Sequence, residues 1–137
     1  MSPYQSYQIN IAVTLGSQEL HHTGLWLIPV GSGGGGGGPT YYCHVRGSLG
    51  SFAYESIKDF DPTRAKASAK IISIGDTARP VAVEKLLGIM GSVSVHNQDP
   101  GFSSEAWVDT AAAKMHESGY LTRNQYEALI DAVTVEA

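Results

Sequence analysis

The chain has a single cysteine, Cys43, which excludes an internal disulfide framework and any thiolate-rich zinc site. Free cysteine is among the most buried residue types, so Cys43 reads first as a small buried hydrophobe on a strand. Charge is scarce as well. Charged residues make up 16% of the sequence and the formal net charge is −4, which leaves no basic footprint for nucleic acid. No stretch approaches the roughly 18 consecutive apolar residues of a membrane span. The start, Met1-Ser2-Pro3-Tyr4-Gln5, lacks the basic and apolar regions of a signal peptide, so the expectation is a cytoplasmic protein. What is present is the make-up of one globular domain over residues 1–137: 42% apolar residues give a real core and room for one pocket at most.

The first half of the chain reads as strands. Residues 7–15 are rich in β-branched positions in alternation and end at the turn pair Gly16-Ser17. Residues 25–30 form a second strand and residues 41–45 a third. Between them, residues 31–39 are nearly all glycine, whose backbone entropy is too large for a regular element, so they read as a mobile hairpin loop. A phosphate loop would need a Lys-Ser/Thr pair and a helix directly after it, whereas Pro39, Thr40 and a strand follow. Residues 51–60, closed by Asp61-Pro62, and residues 70–74, closed by Gly75-Asp76, complete an antiparallel sheet of about five strands.

The period then changes to that of helices. Pro80 suits the first turn of a helix in which Val83, Leu86, Leu87 and Met90 repeat until Gly91. After a turn-rich loop over residues 92–102, a helix opens at Ser103 or Ser104, either of which can cap it. Trp107, Ala111 and Met115 form its buried stripe, and Gly119 supplies a left-handed stop. Thr122-Arg123-Asn124-Gln125 is a capping box for a last helix whose apolar face is Tyr126, Leu129, Ile130 and Val133. Strands followed by about three helices indicate an α+β domain with helices packed on an antiparallel sheet.

Three short segments carry a family resemblance. His22-Thr23-Gly24-Leu25-Trp26-Leu27-Ile28 lies in one strand, Tyr42-Cys43-His44-Val45-Arg46-Gly47 in the next, and Ser103-Ser104-Glu105-Ala106-Trp107-Val108 opens the later helix. Their order resembles that of circularly permuted papain-like proteins, the NlpC-type and lecithin:retinol acyltransferase-like group, small fungal members included. There a strand histidine activates a cysteine at a helix start and a second strand histidine supports it. The resemblance implies His22 as base, His44 as its partner and Ser104 in the place of the cysteine. A thiolate gains from a helix N-terminus, whereas a serine hydroxyl stays far from ionising and needs an aligned base, so the substitution puts the acyl-enzyme mechanism in question.

Three functions compete on these residues. The first is a cofactor-independent enzyme, of the kind found in fungal secondary metabolism, acting on an apolar small molecule. It would use His22, with His44 and Ser104, for an isomerisation, cyclisation, elimination or aldol-type step, since imidazole near pKa ~6.5 suits proton transfer. The second is a hydrolase or acyltransferase acting on an ester, thioester or amide through Ser104. The third is an inactive module binding a small molecule or a protein. Trp26, Tyr42, Arg46, His96 and Trp107 are the candidate substrate-binding residues, with Arg46 suited to an anionic group. His22, His44 and His96 lack the short-range ligand spacing of a metal site, so no metal and no cofactor are expected. A homodimer is compatible with the sequence, which leaves the oligomeric state open.

Overall fold

A computed structural model describes residues 4–15, 21–30, 38–47, 50–65 and 70–136. Among the described residues, six strands and four helices follow the order β1 (Tyr4–Leu15), β2 (His21–Val30), β3 (Tyr41–Arg46), β4 (Ala53–Lys58), α1 (Pro62–Ala65), β5 (Lys70–Asp76), β6 (Val81–Ala82), α2 (Val83–Gly91), α3 (Ser104–Glu117) and α4 (Arg123–Glu136). The sheet runs β4-β3-β2-β1-β5, with β6 pairing to β1, and every pairing is antiparallel. The domain is therefore α+β, as the change of period indicates. The connection from β2 to β3 joins two antiparallel neighbours; the glycines of residues 31–37 lie outside the described residues.

Alternation along the strands divides the sheet into two unlike faces. Tyr7, Ile9, Ile11 and Val13 of β1, Leu25 and Leu27 of β2, and Cys43 and Val45 of β3 belong to one apolar core with the helices. From α3 that core takes Trp107, Val108, Ala111, Ala112 and Met115, and from α4 it takes Leu129 and Val133. Cys43 is fully buried there, as its reading as a small hydrophobe expects, and burial pushes its thiol up to about 12. The opposite face carries Asn10, Thr14, His22, Gly24, Trp26, Tyr42, His44 and Glu55 at alternate positions.

Helix ends follow local chemistry closely. Thr122 and Gln125 form the reciprocal box at α4: Gln125 N–H donates to Thr122 Oγ1 at 3.1 Å, and Thr122 N–H donates to Gln125 Oε1 at 2.9 Å. At the end of α3, Gly119 has φ +84°, its N–H donates to His116 O, and Tyr120 N–H donates to Met115 O. These two bonds make a Schellman stop. One expectation is corrected. Pro80 does not start a helix, because Val81 and Ala82 pair with Gln5 and Tyr4 of β1 first and α2 begins only at Val83. Beside the three longer helices, the described residues include the single turn α1 that follows Asp61.

Candidate active site

The two serines at the start of α3 have separate tasks. Ser103 is the cap: its backbone is extended, with φ −147° and ψ 173°, and its Oγ accepts from Ala106 N–H at 3.2 Å. Ser104 is thereby the first helical residue and is free of that duty. It is buried, and its Oγ accepts a hydrogen bond from the Thr23 backbone N–H at 3.0 Å. This contact has a clear origin in the sheet. Pairing between β2 and β3 stops at Leu25↔Cys43 although both strands continue, so Thr23 has no β3 partner and the hydroxyl of Ser104 supplies the acceptor.

His22, next to Thr23, sends its imidazole to the other face. There His22 Nε2 lies 2.7 Å from His44 Nδ1, the rings meeting edge to face, and His44 Nε2 lies 2.9 Å from Glu55 Oε1. The β3–β4 register places Glu55 directly opposite His44. A carboxylate only accepts, so His44 donates from Nε2 and its Nδ1 carries a lone pair. His22 must then donate from Nε2, which leaves the lone pair of His22 on Nδ1. The array fixes both tautomers. Burial is the main cause that lowers the proton affinity of His22, with His44 adding to it, and the result is a value of about 4. His44 is lowered too, mainly by burial, against the opposing pull of Glu55. Both rings are neutral at neutral pH.

Tyr42 holds this array in place. Its ring lies 4.7 Å from that of His44 and 5.3 Å from that of Phe60, and it rests on Gly24, where a Cβ would approach Tyr42 Oη to 2.6 Å. Gly24 is thus required by a close approach rather than by its backbone angles. Trp26 is partly buried on the same face, and its indole N–H has no hydrogen-bond partner among the described residues. Arg46, 64% exposed, stands 3.8 Å from Glu55 Oε2.

The sequence-derived residues therefore separate. His22, His44, Tyr42, Trp26 and Arg46 share one face, with Ser104 tied to the strand beside His22 but not bonded to His22. Trp107 is fully buried and stacks on Tyr54 at 5.7 Å, so it belongs to the core rather than to a substrate wall. His96 sits against Phe102 and lines, with Val95, Asn97, Gln98 and Asp99, a surface cleft of about 490 Å³ that contains none of the array. Asn97 fastens that loop to the start of β4 by two bonds to the Phe52 backbone, at 2.7 and 2.9 Å. Among the described residues no group of three or more His, Cys, Asp or Glu side chains is placed to hold a metal ion. Glu55 was missed by motif reasoning; the signal that finds it is the hairpin register across Arg46↔Ala53, which sets His44 against Glu55.

Comparison with protein-family models, with curated proteins and with solved structures finds no match for the chain.

Proposed function

We propose that the chain is a small enzyme that moves a proton on a small-molecule substrate, with His22 as acid and base and with Ser104, on the opposite face of the sheet, outside the proton path. The observation that carries this reading is the hydrogen-bonded row His22–His44–Glu55. His22 Nδ1 is the accepting atom. When it takes a proton, the imidazolium donates from Nε2 to His44 Nδ1, and His44 in turn donates to the Glu55 carboxylate, so the charge is met by a preset acceptor chain. A base whose conjugate acid has a value near 4 returns its proton readily. That suits a step in which one group removes a proton and gives it back, as in an isomerisation or cyclisation, without a covalent intermediate. Ser104 accepts from Thr23 N–H and serves this scheme by fixing β2 beside His22.

Deuterium uptake from D2O into a panel of small ketones and 1,3-diketones, followed by proton NMR, tests the proposal on generic carbon acids. His22→Ala should slow uptake by about 10²–10⁴-fold, the usual worth of general acid–base catalysis. Ser104→Ala should retain most of it. Equal uptake by wild type and His22→Ala would remove the proposal, and loss with Ser104→Ala accompanied by an acyl adduct in the mass spectrum would replace it with nucleophilic chemistry.

A further inference from the structure

Arg46 occupies an unusual position relative to the array. It follows His44 by two residues on β3 and so lies on the same sheet face. Continuing the Leu25↔Cys43 register past the point where β2 and β3 stop pairing would set Arg46 opposite His22, at the open end of the two strands. Its guanidinium is anchored without being saturated. Glu55 Oε1 is engaged by His44 and Oε2 faces Arg46 Nε at 3.8 Å, beyond hydrogen-bond distance, and Arg46 makes no hydrogen bond among the described residues. At 64% exposure, its planar set of donors is open to a ligand.

We infer that Arg46 binds a carboxylate of the substrate and thereby delivers an otherwise apolar acid to His22. The inference rests on the proposed role of His22 and adds the substrate class. A carboxylate is favoured over a phosphate because it brings less negative charge to a single guanidinium that already has Glu55 nearby, on a chain that carries −4 as a whole. Arg46 positions the substrate, and the proton still leaves for His22 Nδ1, its electron pair remaining on the substrate.

Phenylacetate, its neutral counterpart phenylacetamide and inorganic phosphate are the probes, titrated against the folded protein while the imidazole nitrogens of His22 and His44 are followed by NMR. Phenylacetate should shift both histidines saturably, phenylacetamide and phosphate should bind at least about tenfold more weakly, and Arg46→Ala should weaken phenylacetate by about tenfold or more. Arg46→Lys should restore part of the loss, and an unchanged melting temperature shows that each variant is folded. Unchanged binding in Arg46→Ala, equal binding of phenylacetamide, stronger binding of phosphate or no saturable shift in the wild type would each overturn the inference. The role of His22 is judged separately by deuterium uptake, so the two can fail independently.

Discussion

The same sheet presents two different surfaces. On the helix side, Ile9, Ile11, Leu25, Leu27 and Val45 are fully buried against Trp107, Ala111 and Met115. On the other side, the residues in between are held by hydrogen bonds: Asn10 Nδ2 to Trp26 O, Thr14 Oγ1 to His22 O, and the row from His22 through His44 to Glu55. Apolar burial is non-directional and sums over area, whereas a buried hydrogen-bonded row depends on each partner's position. The comparison teaches that stability and chemistry are separated by the pleat of the sheet. Substitutions on the helix side should act on stability first. Substitutions on the histidine side should act on proton affinity and tautomer first.

The largest effect is expected on the helix side. Trp107→Ala should cost about 3–5 kcal/mol by removing a fully buried aromatic, read as a fall in denaturation midpoint. Trp107→Phe should cost much less than Trp107→Ala, because the indole N–H has no hydrogen-bond partner among the described residues to lose. Gly24→Ala should come next, at about 1–3 kcal/mol. Its new Cβ would press on Tyr42, which is buried and packed against His44 and Phe60. This variant should also move the His44 ring resonances, and unchanged resonances would break the link drawn between Gly24 and the array. Ser104→Ala should cost about 1–2 kcal/mol by leaving Thr23 N–H without its acceptor. If it costs nothing measurable, Ser104 does not hold β2.

A smaller effect distinguishes the faces by pH. His22 has a value of about 4 in the folded chain against 6.5 for a free imidazole, so the unfolded chain binds more protons between these limits. Stability should therefore fall as pH drops from about 6.5 to about 4 and level off below that as the folded chain protonates as well. His44, lowered in the same direction, adds to the slope. Denaturation at a series of pH values should show a shallower slope in His22→Gln than in the wild type, and equal slopes would mean that His22 is not held neutral.

Local chemistry was readable from the sequence. The Thr122–Gln125 box, the Gly119 stop and the stripe Trp107, Ala111, Met115 are set by neighbours three or four residues apart, and each stands where the spacing puts it. What depended on distant partners was not. Pro80 reads as a helix opener until Tyr4 and Gln5 claim Ala82 and Val81 for the sheet. Glu55 is one polar residue of a strand until pairing sets it against His44, and nothing local distinguishes it. Ser103 and Ser104 are equivalent as letters, and the phase of α3 against β2 decides which caps and which reaches Thr23. The faces of His22 and His44 follow from alternation, but their 2.7 Å contact depends on the place where β2 and β3 part.

The central claim is that Glu55 and His44 fix the tautomer of His22 so that its Nδ1 carries the lone pair. The most direct measurement is a long-range proton–nitrogen NMR spectrum of the histidine side chains at neutral pH, in the wild type and in Glu55→Ala. The account predicts that both His22 and His44 are neutral and protonated at Nε2 in the wild type, and that loss of Glu55 allows His44 to change tautomer and His22 with it. A wild type in which His22 is protonated at Nδ1, or titrates near the free-imidazole value without regard to Glu55, would contradict it.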